Sequence, residues 1–596
     1  MARVTPWSRL TSSATQQPTN VRTICVIGAG PSGLVAAKHL RDAGYTVWVI
    51  ERSMKIGGTF VHKAYDEARL VSSKYLTAFS DLRSPESAAD HLSLPDYVKY
   101  LKQYCDEQRL WSLISFGREV TNVTRESASD GSTYYKVQMR IVEGHAAQAV
   151  GTPDEMKFDA VCVCSGLHEV PHVPAIEGAA SFDGTVLHSA EYKDRELFRG
   201  KRVLVIGCGE TGMDLVYRAV QVADATAISI KRGFLAVPYE GWAGVPLDTL
   251  IANLFEHSYE HWWLHKHHLK WRVTGYFIRA GFWLTTGSSV GWDQWVGGLA
   301  EVKRGYHILC KSTAALPYMN RPVKRATWRH HLWAWLDPPH KRVDKDIITY
   351  PAPVRIEGKT VTFTDGSTYE ADVLVYATGY QQRFPFLDGC GKSGDEGWTD
   401  STGARGEEDP LPAQHFICSP QHPTLAFLGF VRPNVGAIPP MSELQVMWWI
   451  EKLAGRVSPD HAPPSYGLLG KKLIYGVDYG NYMHQLAAEI GAAPSLRALA
   501  RKPRALIAYC LGQAYISFFR LEGPFATAQA WEVAQSELYR PVLQRGVFTN
   551  LIFVSVMFFF GSLSLALCVL EGAMTLPARV LAMLSVRKAE PIVKDV

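Results

Sequence analysis

The sequence predicts an α/β fold in which one doubly wound unit is inserted into another, with a long apolar helix at the C-terminal end. Three observations carry this. Two glycine-rich turns each sit between an apolar run and a helix-like run, two apolar strands ending in a small residue plus glycine bracket the second turn, and residues 551–570 hold no charge. Together they imply parallel strands alternating with helices.

Residues 1–22 lack acids, carry Arg3, Arg9 and Arg22, and are rich in Ser and Thr. They read as a disordered leader, with a weak likeness to a mitochondrial transit peptide.

The first unit, residues 23–166, opens with apolar residues 24–27, the turn Gly28-Ala29-Gly30-Pro31-Ser32-Gly33, and a helix-like run over 34–40. In such a turn the first glycine permits the sharp bend, the second lets backbone approach a pyrophosphate, and the third lets helix and strand pack closely. The helix N-terminus then meets the phosphate charge. The next strand, residues 46–50, ends in Glu51, whose carboxylate is placed to accept a ribose hydroxyl. Gly57-Gly58-Thr59-Phe60 and a strand pair around 119–123 and 134–142 follow, and the unit closes on the strand 160–164 with Ser165-Gly166.

The second unit, residues 167–349, repeats the pattern: apolar 203–206, then Gly207-Cys208-Gly209-Glu210-Thr211-Gly212, then helix-like 213–220. Its next strand, 227–230, runs into Lys231-Arg232, cations that suit a 2′-phosphate and so NADP(H) rather than NAD(H). Two such turns on one chain imply electron traffic between two dinucleotides. An Asp-Gly hairpin over 358–367 precedes the strand 373–376, which ends in Ala377-Thr378-Gly379-Tyr380. The simplest topology resumes the first unit near residue 350 and continues it, through a helix-rich tail, to 545.

A net charge of +5 on 596 residues does not suggest nucleic-acid binding. The ten cysteines are scattered, without a Cys-x-x-Cys pair. That excludes a dithiol-relay reductase and suits a reducing compartment. Within the second unit an insertion at about 240–300 concentrates His257, His261, His265, His267 and His268 among Trp262, Trp263 and Trp271. No metal-ligand pattern is met, and two readings stand side by side: a membrane-docking or substrate-entry element, and ordinary core aromatics. Residues 551–570 are long enough to cross a ~30 Å hydrocarbon layer. Residues 546–596 read as a membrane anchor and tail, with spanning and in-plane placement both open.

Phe182-x-Gly184-x-x-x-His188-x-x-x-Tyr192 is the most specific pattern in the chain. With Glu51-Arg52, Lys74, Phe79-Ser80-Asp81, Ala377-Thr378-Gly379-Tyr380, Phe384-Pro385-Phe386-Leu387, Glu443-Leu444-Gln445, Asp478-Tyr479, Tyr482-Met483 and Arg520-Leu521-x-Gly523-Pro524, it resembles the flavin-containing monooxygenases over residues 23 to about 540. Baeyer–Villiger relatives commonly carry Trp where this chain has Tyr192.

The resemblance implies two Rossmann-like dinucleotide-binding domains, the NADPH domain inserted into the FAD domain. It implies that NADPH reduces FAD, that O2 adds to give a C4a-hydroperoxide, and that one oxygen atom passes to nitrogen or sulfur of a lipophilic small molecule. Baeyer–Villiger insertion into a ketone is the close alternative, and an H2O2-producing NADPH oxidase or a non-catalytic scaffold the distant one. The implied cofactor-binding residues are Gly28, Gly30, Pro31, Ser32, Gly33, Glu51, Arg52, Gly58, Thr59, Val120, Gly207, Gly209, Thr211, Gly212, Lys231, Arg232, Thr378 and Gly379. Microsomal members carry a C-terminal hydrophobic anchor, which implies the endoplasmic reticulum membrane with the catalytic domain on the cytosolic side. Where the family has an Asn three residues before its lysine, this chain has Val71. Ser72 or Ser73 then supplies the missing hydrogen bond, or the hydroperoxide is held differently, or it leaks H2O2. His188 reads as an organiser of the link between domains, and Glu210 places an acid near a pyrophosphate.

Overall fold

The computed structural model describes residues 20–142, 154–231, 343–390, 411–457 and 475–587, with short stretches between 234 and 319 and at 409, 466 and 467. Arg232, most of the leader and most of the 240–300 insertion lie outside the described residues.

Two five-stranded parallel sheets form the frame. The first runs in the order Leu425–Phe427, Ala160–Val163, Thr23–Ile27, Thr46–Ile50, Ile114–Ser115. The second runs Ile347–Tyr350, Ala225–Ser229, Arg202–Ile206, Val373–Tyr376, Thr185–His188. Their central strands are apolar and buried almost throughout, as strands covered on both faces must be. Helix Pro31–Asp42 follows the first turn and helix Glu210–Val222 the second. The antiparallel strands Arg118–Ser127 and Thr133–Ile141 pair as expected, with a register shift beside Val120.

One expectation needs correction. The strand Val373–Tyr376 pairs with Arg202–Ile206 and Thr185–His188, and Ile347–Tyr350 pairs with Ala225–Ser229. The strands Ile347–Tyr350 and Val373–Tyr376 therefore belong to the second sheet, and Pro353–Glu357, Thr360–Phe363 and Thr368–Glu370 between them form a separate antiparallel sheet. Among the described residues the first sheet regains a strand at Leu425–Phe427 rather than near 350. A uniformly apolar strand fits any parallel sheet, so its composition does not identify its neighbour.

The helical tail is locked to the first unit by a buried ionic cluster that unites three distant motifs. Glu443, fully buried on helix Ile438–Leu453, accepts from the Ser80 backbone N–H at 3.0 Å and from the Ser80 hydroxyl. Arg520 donates to that hydroxyl at 2.7 Å and lies 3.6 Å from Glu443. Lys38, on the helix after the first turn, pairs with Asp81 at 2.7 Å. Gln445 accepts from Gly429 N–H at 3.0 Å and donates to Tyr482 at 2.8 Å, so the same helix also holds the loop beyond Leu425–Phe427.

Removing one member of such a cluster strands the others in low dielectric. Glu443→Ala is expected to cost about 3–5 kcal/mol, read by urea denaturation as a fall in midpoint with an unchanged slope.

Candidate functional site between two nucleotide turns

Both glycine turns divide their glycines between closure and opening. Gly28 has φ +106°, and a Cβ there would lie 2.6 Å from the Cys164 carbonyl oxygen; one on Gly33 would lie 1.9 Å from the Gly28 oxygen. In the second turn Gly207 has φ +110° with the Ala377 oxygen 2.4 Å from such a Cβ, and Gly212 has the Gly207 oxygen at 2.2 Å. The middle glycines differ: a Cβ on Gly30 meets nothing closer than Gly58 Cα at 4.0 Å, and one on Gly209 meets nothing within 4 Å. Gly30 and Gly209 are also helix N-caps that carry no capping side chain, so each turn presents a helix N-terminus suited to an anion.

A cavity of about 850 Å³ joins the two turns. From the first unit it is lined by Gly28, Gly30, Pro31, Ser32, Glu51, Arg52, Gly58, Thr59 and Val120, and from the second by Glu210, Thr211 and Asp214. Val71 and Ser72 line it as well. Glu51 is almost fully buried; its Oε2 accepts from Ala29 N–H at 2.7 Å and its Oε1 from Ser53 N–H at 2.8 Å. Each oxygen retains a second lone pair for a ligand hydroxyl. Arg52 pairs with Glu169, another cavity residue, at 2.5 Å.

The remaining expected residues lie outside this wall. Gly33, Gly207, Gly209 and Gly212 build the turns behind it, and Lys231 stands exposed just beyond the strand Ala225–Ser229. Thr378 and Gly379 form the link after Val373–Tyr376, where the Thr378 hydroxyl donates to the His172 carbonyl.

The two serines separate. Ser72 faces the cavity with its hydroxyl 2.6 Å from that of Thr77. Ser73 is wholly buried off the cavity, its backbone N–H donating to Asp248 at 2.6 Å, so contact with a cavity ligand falls to Ser72. Val71 is exposed beside it.

His188 does not line the cavity either. Its Nδ1 accepts from Ala190 N–H at 3.1 Å and its Nε2 donates to the Gly379 carbonyl at 3.0 Å. Burial pushes its pKa down, consistent with this neutral tautomer. The rest of its motif is explained by the same junction. A Cβ on Gly184 would strike the Phe182 ring at 2.6 Å and the Asp372 oxygen at 2.7 Å, and Tyr192 donates to Asp66 of the first unit at 3.4 Å. The signature spacing therefore runs along the strand Thr185–His188 and across to the first unit.

Tyr65 and Asp214 were not foreseen. Tyr65 Oη donates to Asp214 Oδ2 at 2.9 Å across the cavity wall, joining the two units, and the Arg218 guanidinium lies 5.4 Å from the Tyr65 ring centre. The partners stand 149 residues apart, so no local pattern announces them.

This donor set fits two extended dinucleotides: open glycine faces, bare helix N-termini and a buried carboxylate. Comparison with known proteins agrees. The flavin-binding monooxygenase-like family description matches residues 21–274 and 339–570. The chain is similar to monooxygenase ptmN of Penicillium ochrochloron, 33% identical over 95% of this chain and 98% of that one. It is similar to flavin-containing monooxygenase 5 of Oryctolagus cuniculus, 28% identical over 84% of this chain and 89% of that one. Its fold is shared by the S-allyl-L-cysteine S-oxygenase of Allium sativum, with a TM-score of 0.50 at 17% identity over 91% of this chain and all of that one. A match of this extent, on a frame with two nucleotide turns facing one cavity, means that the chain belongs to the flavin-binding monooxygenase-like family and is a flavin-dependent monooxygenase that uses FAD and NADPH.

Proposed function

We propose that this enzyme transfers one oxygen atom from O2 to a soft nucleophile, nitrogen or sulfur, of a lipophilic small molecule, with FAD on the first turn and NADPH on the second. The observation that carries this reading is the single cavity onto which both turns open. Bound FAD would accept hydride from NADPH and supply the activated oxygen. The chain's own residues bind, orient and exclude water. Gly30, Ser32 and the bare N-terminus after them would take the FAD pyrophosphate, Glu51 a ribose hydroxyl, and Lys231 the NADPH 2′-phosphate. Leu70, Val71, Leu94, Phe386 and Ile438 supply an apolar wall suited to a lipophilic substrate.

A second reading, an NADPH oxidase that releases H2O2, is favoured by Val71, which presents methyl groups to the cavity and no hydrogen-bond donor. Ser72 is the neighbouring hydroxyl that can replace one. Incubating enzyme, NADPH and amine or thioether probes under ¹⁸O2 separates the readings: labelled N- or S-oxide supports oxygenation, and H2O2 equal to NADPH consumed with every probe contradicts it.

The enzyme would sit on the endoplasmic reticulum membrane with its catalytic domain on the cytosolic side. What supports this is the helix Gly546–Arg587, whose stretch Gly546–Met574 is long and apolar enough to cross a membrane. It exposes Phe548, Phe558 and Leu565.

Three outcomes are expected. Gly30→Ala should lower FAD content but leave the melting temperature of the FAD-free protein unchanged, whereas Gly33→Ala should lower both, measured by differential scanning fluorimetry and flavin absorbance. Lys231→Ala should raise the NADPH KM roughly tenfold or more, as loss of a charge-assisted hydrogen bond does, and leave the NADH KM in place. Ser72→Ala should raise the H2O2 share of NADPH consumed without altering the NADPH KM, measured by a coupled peroxide assay.

A further inference from the structure

The apolar helix touches the body at its start and again around Ser564 and Glu571. At its start Arg545, nearly fully buried, donates to the Leu511 carbonyl at 2.7 Å, and Asn550 donates to the Val542 carbonyl at 2.8 Å. Farther on, Ser564 accepts from His261 N–H at 3.0 Å, and Glu571 accepts from the His261 ring at 3.0 Å and from Trp262 Nε1 at 3.2 Å. From Met557 onward the covered or half-covered positions include Met557, Phe560, Ser564, Leu567 and Glu571, spaced by three and four residues, with Gly561 and Leu563 half-covered beside them. The opposite faces, with Phe558, Phe559, Leu565 and Val569, are exposed.

These contacts conflict with a membrane crossing. At 1.5 Å per residue Ser564 lies about 27 Å and Glu571 about 37 Å from Gly546, the depth of a whole ~30 Å hydrocarbon layer. For the helix to cross, His261 and Trp262 would have to reach the far side with it. The segment that carries them is interrupted by Glu256, Glu260, Lys266, Lys270, Arg272 and Arg279, and its longest charge-free run, residues 280–292, falls well short of the ~20 residues a crossing takes. The partner residues thus stay on the catalytic side, and the helix stays with them.

Resting on the membrane reading above, we propose that this helix lies in the plane of one leaflet, strapped to the body through the His261–Glu571 contact. Its outer faces meet lipid, with Trp262 and Trp263, both partly exposed, at headgroup level beside it. The C-terminal end then remains on the same side of the membrane as the active site.

The test uses the full chain made in the presence of endoplasmic reticulum microsomes, with one epitope at the N-terminus and a second, joined to an Asn-x-Thr acceptor, after Val596. Flotation with the vesicles, no glycosylation of the acceptor, and loss of both epitopes to protease added outside are the expected results. A glycosylated, protected C-terminal epitope with a digested N-terminal one would overturn the in-plane placement while leaving the anchor in force. Failure to float would overturn the membrane reading and this one with it.

Discussion

Two carbonyl oxygens, those of Cys164 and Ala377, set the limits within which the site is built. Each lies one residue past the strand beside a glycine turn and presses against the first glycine of that turn, at 2.6 and 2.4 Å from where a Cβ would stand. The turn can close only if that Cβ is missing, and closure is what brings the start of the following helix, Pro31 and Ser32 in one unit and Glu210 and Thr211 in the other, to the cavity. The glycine that follows each strand answers a different need: Gly166 at φ +89° and Gly379 at φ +85° take a left-handed backbone that other residues rarely adopt.

This pairing also shows what could be read ahead of the structure. The glycine turns, Glu51 and the strand–turn–helix order were legible because their requirements are local: a left-handed φ, a 1.9 Å contact at Gly33, a carboxylate at a strand end. The partner of the strand Val373–Tyr376 was not, since its four residues are all buried and would suit either sheet. Ser72 and Ser73 looked equivalent in sequence because adjacent residues differ only in where their side chains turn, and the short helix Lys74–Thr77 sends one to the cavity and buries the other. The Tyr65–Asp214 bond depends on the docking of two units, which no spacing encodes.

The scattered motifs acquire a common reason once they are placed. Ser80, Glu443 and Arg520, distant in sequence, meet in one buried cluster, and Lys38 links Asp81 beside it to the helix that begins at the first turn. Gln445, on the same helix as Glu443, fixes Gly429, which itself lines the cavity. The charged interior therefore couples the helical tail to the nucleotide turn, and buried polar groups of this kind select one arrangement more than they add stability. The His188 junction acts in parallel on the second unit, tying the strand Thr185–His188 to the link at Gly379. Together they hold two turns from separate sheets against one cavity.

The most direct test of that arrangement is anaerobic mixing of the FAD-loaded enzyme with NADPH while the oxidised-flavin absorbance is followed in a stopped-flow instrument. A shared cavity predicts rapid bleaching in one saturable phase, with the flavin fully reduced before oxygen is admitted. Flavin that binds stoichiometrically yet keeps its oxidised spectrum at saturating NADPH would show that the two turns do not serve one reaction site.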